Sequence, residues 1–158
     1  MVLKTCVAIL AIVLLCATKS ATGGAVAHFS GGSSFQQPVG DAETVTVEQL
    51  KAKLARRESV TIIDVRGTED FNSSNSKIKG AVRVKLRKLK YRLGFPPLKE
   101  VPRDQEVVAY CACQNDEASV LAAQILSAAG FKRVRVLKGG WQAWLRAKGP
   151  LEAKQKEL

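Results

Sequence analysis

Apolar residues along this chain follow two rhythms that alternate between residues 44 and 150. Short unbroken runs rich in β-branched residues predict buried strands, and apolar positions three or four apart predict helices with one buried face. Residues 44–46 are a first short strand candidate, and Val47, Leu50 and Leu54 carry a helix through Arg57. Residues 60–65, Val-Thr-Ile-Ile-Asp-Val, are the clearest buried strand of the first half and stop at an Arg66-Gly67 turn. Residues 68–79 are polar and expected to be a loop, because Asn72-Ser73-Ser74-Asn75-Ser76 suits neither rhythm. Residues 80–84 form a third strand. Leu86, Leu89 and Leu93 then give a helical stripe set among basic residues, halted by Gly94 and Pro96-Pro97. Residues 107–111 form a fourth strand, and Leu121, Ala122, Ile125, Leu126 and Ala129 define a helix over 118–129 with Gly130 as its C-terminal cap. After a last strand at 134–137, Gly139-Gly140 turns the chain into a short helix bearing Trp141, Trp144 and Leu145, stopped by Gly149-Pro150.

Strands alternating with helices imply βαβ units with right-handed crossovers. The expected fold class is therefore α/β, with a parallel sheet covered by helices on both faces. A chain of 158 residues suffices for one domain with its own core and is short for two. With 46% hydrophobic and 25% charged residues, neither disorder nor a fibre is indicated.

The N-terminus follows different rules. Lys4 precedes an unbroken apolar stretch at 6–17, and a small-residue segment follows at 20–27, the layout of a secretory signal peptide. The apolar stretch falls short of the roughly 20 residues a spanning helix needs. Ala25-Val26-Ala27 is one cleavage candidate and Ala21-Thr22-Gly23 a nearer one. Cys16 suggests a lipoprotein, but Leu15 stands where a small residue would be expected. The expectation is an exported protein, periplasmic or secreted after cleavage, with an uncleaved N-terminal anchor as the alternative. Residues 28–41, rich in Gly, Ser and Gln, read as a flexible linker, 42–153 as the domain and 154–158 as a tail.

The net charge is +11, of which Lys4 and Lys19 supply two, leaving +9 on the mature chain. Much of the excess lies between Lys77 and Arg92. No aromatic platform or recognition motif for nucleic acid accompanies it, so no nucleic-acid partner is expected. A solvated basic face, or contact with a membrane surface through it, fits better. A monomer is expected.

The candidate chemistry lies where the fourth strand stops. Signal cleavage would leave Cys111 and Cys113 as the only cysteines. A C-x-C pair makes no disulfide framework, and a bridge between its members would close a tight ring. At the carboxyl end of a parallel strand, before a helix N-terminus, a thiol sits where open α/β sheets bind ligands and where the helix dipole favours the thiolate. Inert burial of both cysteines is the bland alternative. Two thiols without a nearby histidine fall short of a metal site, and no cofactor is called for. The single histidine, His28, lies in the linker, which argues against a Cys-His hydrolase.

Five segments in order resemble a rhodanese domain, the sulfurtransferase module: Ile62-Ile63-Asp64-Val65-Arg66; Asp70-Phe71 with Ile78-Lys79-Gly80-Ala81; residues 107–111; Gly130-Phe131 through Gly139-Gly140; and Trp141-Gln142-Ala143-Trp144. The resemblance runs from about Thr44 to Leu151. It implies a five-stranded parallel sheet flanked by helices, and a thiolate that takes the outer sulfur of a donor, becomes a persulfide and passes that sulfur to a thiol or cyanide. Cys111 is the implied catalytic residue from the strand register, and Cys113 the alternative from counting back from Ser119 or Gly130. Ala112, Cys113, Gln114, Asn115, Asp116 and Glu117 would form the substrate loop, its amides and the following helix stabilising the anion. Asp64 and Arg66 read as a structural pair near the site, and Trp141 and Trp144 as core.

The loop departs from the family's usual C-x-x-G-x-R followed by Ser, and is closer to a variant C-x-C-(P)-N-E-type loop. It has no Arg and carries Asp116 and Glu117, so thiosulfate, a dianion that wants a cationic clamp, is a poor fit, and so is phosphate. A polysulfide, a persulfide or another donor of low charge is expected. Within the thiol pair, Cys113 is a candidate to resolve the persulfide. The competing class is a non-catalytic sulfur carrier or dithiol redox module of the same fold.

Overall fold

A capping box opens the first helix. Thr46 Oγ1 accepts the Gln49 N–H at 3.2 Å, and Gln49 Oε1 accepts the Thr46 N–H at 2.9 Å. Thr46 is thus a cap, and strand β1 shrinks to Thr44–Val45, followed by α1 at Val47–Ala55. The structure, a computed structural model, describes residues 42–154. The signal-like segment 1–27, the linker 28–41 and tail residues 155–158 lie outside the described residues.

Strand β2 covers Val60–Asp64. The stretch expected to be one polar loop holds two elements instead: helix α2 at Thr68–Asn72 and strand β3 at Ser76–Ile78. Phe71 and Ile78 are buried and anchor them. Strand β4 is only Val82–Arg83, shorter than the run 80–84 suggested, and a 3₁₀ turn at Leu86–Lys88 leads into α3 at Leu89–Arg92. Strand β5, Glu106–Tyr110, is buried at every position, and α4 spans Glu117–Ala128, starting one residue earlier than expected. Strand β6 is Arg133–Leu137 and α5 is Gly140–Arg146. Beyond Gly149-Pro150, which end the last helix as expected, β7 at Leu151–Ala153 pairs antiparallel with β3. Lys154, assigned to the tail, is tied down by its N–H to the Asn75 carbonyl.

The main sheet is five-stranded and parallel, in the order β1-β6-β5-β2-β4. After β2 the chain moves outward to β4, and after β5 it moves the other way to β6. The strand order therefore reverses between β2 and β5, and a crevice opens outside their carboxyl ends, where open α/β sheets take ligands.

The pleat sorts side chains by parity. Ile63, Val65, Val107, Ala109 and Cys111 face one side and pack with Leu89, Ala122, Leu126 and Phe131. Ile62, Val108 and Tyr110 face the other, against Val47, Leu50, Trp141 and Trp144. Helices α3 and α4 thus cover one face, and α1 and α5 the other. Among the described residues no helix is long and apolar enough to cross a membrane.

Candidate active site

The same parity fixes the thiols. Cys111 continues the alternation of β5 onto the α4 face, and Cys113, two residues on, packs against the same cluster, while Ala112 meets the opposite one. Their sulfurs are adjacent, 2.6 Å apart and beyond the ~2.05 Å of a disulfide bond, and both cysteines are free. Cys111 is completely buried, whereas Cys113 is half-buried.

The loop closes through Asp116. Its backbone is left-handed at φ +55° and serves as the N-cap of α4, but its carboxylate reaches across to accept the Gly139 N–H at 2.9 Å. The Cys111 carbonyl accepts the Trp141 N–H at 2.8 Å. Gly140, at φ +47°, has no substitute there: a Cβ would lie 2.3 Å from the Cys111 carbonyl oxygen. The start of α5 is thereby pinned against the strand end that carries the thiol.

Donors do converge on the Cys111 sulfur. The amides of Cys113 and Ser119, the latter in the first turn of α4, favour the anion, and Ser119 Oγ lies 3.5 Å from Sγ. The same hydroxyl is 2.8 Å from the Asp116 carbonyl oxygen, so its one proton has two acceptors. Burial outweighs these donors. It comes first among the causes, followed by the Cys113 thiol, and together they push the Cys111 thiol up to about 11. The expectation of a depressed pKa is corrected: at neutral pH the closed site holds a neutral thiol.

On the opposite face, Asp64 and Arg66 form a fully buried ion pair with Arg66 Nη2 2.7 Å from Asp64 Oδ2. Arg66 also donates to the Ser76 carbonyl, and its guanidinium lies 4.1 Å from the Trp141 ring centre. Tyr110 donates its hydroxyl to Asp64 Oδ2 at 2.8 Å and accepts the Ile78 N–H. Burial and the Asp64 charge raise the Tyr110 pKa, so this hydroxyl keeps its proton. Asp64 and Arg66 tie β2, β3 and β5 together below the crevice, and the sheet stands between them and the sulfurs.

The structure thus joins Cys111, Cys113 and Asp116 to one another, while Asp64 and Arg66 belong to a separate cluster. Ala112 turns toward the α1 and α5 side, Gln114 and Asn115 are exposed, and Glu117 opens α4. Ser119, Gly140 and Tyr110 were not singled out as site residues. The serine following the loop and the Gly139-Gly140 pair carry the only sequence signals for them.

The Rhodanese-like domain family profile matches residues 46–147, which is most of the chain and includes the thiol loop. The chain belongs to the rhodanese-like family. The domain is 30% identical over 106 residues to a sulfurtransferase of Allochromatium vinosum, covering 67% of this chain and 91% of the relative. It is 27% identical over 126 residues to YrkF of Bacillus subtilis, provisionally named a sulfur carrier protein, covering 78% of this chain and spanning 63% of that relative's length. Among solved structures, the rhodanese-like domain resembles the Alr3790 protein of Anabaena, with a TM-score of 0.59 and 31% identity over 70% of this chain and 82% of the other.

Proposed function

We propose that this protein is a sulfurtransferase in which Cys111 carries the transferred sulfur as a persulfide. The observation that supports this most directly is the cradle itself: a thiol at the carboxyl end of the central strand, at the reversal of strand order, with two amides and a hydroxyl aimed at its sulfur. The Cys111 thiolate attacks the outer sulfur of a donor, the donor's S–S bond breaks, and the remainder leaves as a thiolate or shorter polysulfide. An acceptor thiol or cyanide then attacks the outer sulfur and restores the Cys111 thiolate. Because burial is the leading reason the thiol is neutral, the loop 112–116 must open and admit water before the donor reacts. Asp116 at the end of that loop and Glu117 at the start of α4 disfavour dianionic thiosulfate, so a polysulfide or organic persulfide is the donor class. The signal-like residues 1–27 support export, which N-terminal sequencing of the released protein tests.

Cyanide capture tests the enzyme reading. With polysulfide as donor, Cys113→Ser forms thiocyanate over many turnovers at a rate above that of the protein-free mixture, and Cys111→Ser only matches that mixture; if no form of the protein exceeds it, the reading is overturned. The complete burial of Cys111 favours a second reading, a sulfur carrier that loads without turning over. A single equivalent of thiocyanate per protein, with no further turnover, would select it.

A further inference from the structure

We infer that Cys113 resolves the Cys111 persulfide, so that the domain releases its cargo as hydrogen sulfide and ends as a Cys111–Cys113 disulfide. The inference rests on the persulfide reading above and adds an activity to it. Three observations carry it. The two sulfurs are already adjacent at 2.6 Å, because the chain bends at residues 112–113 just past β5 and leaves both side chains against the same cluster. Cys111 has no exposed surface, so an external acceptor must wait for the loop to open, whereas Cys113 is in place in the closed state. Cys113 is itself half-buried and open to solvent, so a reductant can reach the resulting bridge.

The step balances within the site. Cys113 Sγ attacks the inner sulfur of Cys111–Sγ–SH, the Sγ–S bond breaks, and the outer sulfur leaves as hydrosulfide, taking up the Cys113 proton. In this step the Cys113 sulfur rises from the thiol to the disulfide level, the Cys111 sulfur keeps the level it had in the persulfide, and the departing sulfur falls to sulfide, so no outside oxidant is needed. An external dithiol reductant then supplies two electrons and two protons to restore the pair. Attack from a neighbouring side chain has an effective concentration far above that of free thiols.

The test loads the protein anaerobically with glutathione persulfide, whose leaving group is a thiol and not sulfide, and desalts it at once. In the wild type, peptide mapping should find the 111–113 peptide short of two hydrogens and unreactive to alkylation, with one sulfide released per protein. Cys113→Ser should hold the added sulfur on Cys111 and release sulfide at least about tenfold more slowly. Cys113→Ala should do the same, which separates loss of the thiol from any new hydroxyl contact. If the wild type keeps the added sulfur as long as the two variants do, with Cys113 open to alkylation, resolution by Cys113 is overturned while the persulfide reading stands. If neither variant gains sulfur on Cys111, the persulfide reading falls and this inference with it.

Discussion

Replacing Gly140 by alanine should unseat the thiol loop without touching a sulfur. A Cβ at this position would sit 2.3 Å from the Cys111 carbonyl oxygen, where ordinary contact begins near 3.4 Å. The start of α5 and the end of β5 must therefore part by about 1 Å. That parting takes the 2.8 Å Trp141 N–H bond to the Cys111 carbonyl past useful length. The backbone stands at φ +47°, which costs an alanine about 1–2 kcal/mol more than glycine. With the lost hydrogen bond, worth about 1 kcal/mol, the total comes to about 2–3 kcal/mol. At a urea dependence of about 1–2 kcal/mol per molar, the unfolding midpoint should fall by 1 M or more. Gly94→Ala is the control, because a Cβ there meets the Tyr91 carbonyl at an ordinary 3.5 Å. If the Gly140→Ala midpoint coincides with that of the wild type, the claim that the α5 start clamps the thiol loop is wrong.

Three further outcomes are expected. Arg66→Met leaves Asp64 buried without its main partner and should cost about 3–5 kcal/mol in equilibrium unfolding, and Arg66→Lys should recover only part of it, since one ammonium cannot replace the bidentate guanidinium. Asp116→Ala removes the acceptor for the Gly139 N–H and puts a Cβ-only side chain at φ +55°, so alkylation of Cys111 should speed up by about tenfold, while Asp116→Asn, which tolerates that backbone, should lie near the wild type. The Cys111 thiol pushed up to about 11 makes its alkylation climb with pH all the way to that value, measured residue by residue from mapped peptides; Cys113→Ala removes a raising contact and should move the midpoint down, and Ser119→Ala removes a lowering one and should move it up. The sign for stability follows: the folded state holds this proton more tightly than the unfolded chain, so the stabilisation is complete below the ordinary thiol range and is lost as pH rises through about 11.

Periodicity carried the parallel sheet because β2 and β5 are buried on both faces and leave continuous apolar runs. The thiol pair was equally legible, since it interrupts such a run at its end. Elements that owe their existence to partners far along the chain were not. Ser76–Ile78 is a strand because Leu151–Ala153 pairs with it, and nothing local in Asn-Ser-Ser-Asn-Ser announces that pairing. The charge state of Cys111 was misread for a related reason. Helix position and loop amides can be inferred from sequence and do favour the anion, but burial under α4 is a tertiary fact, and it decides the direction. Tyr110 could be read as core; that its hydroxyl would join Asp64 required knowing the register that places the two opposite each other.

Cys111 is a member of the apolar cluster that holds Ala109, Ala122 and Leu126, so the atom proposed to carry sulfur also fills space in the interior. A sulfur added there enlarges a side chain in a closely packed region, and overpacking of that kind typically costs about 1–3 kcal/mol. Cargo and conformation are then thermodynamically linked. On the proposed persulfide, a loaded domain should melt earlier than an empty one, so that packing around Cys111 sets how tightly the cargo is held.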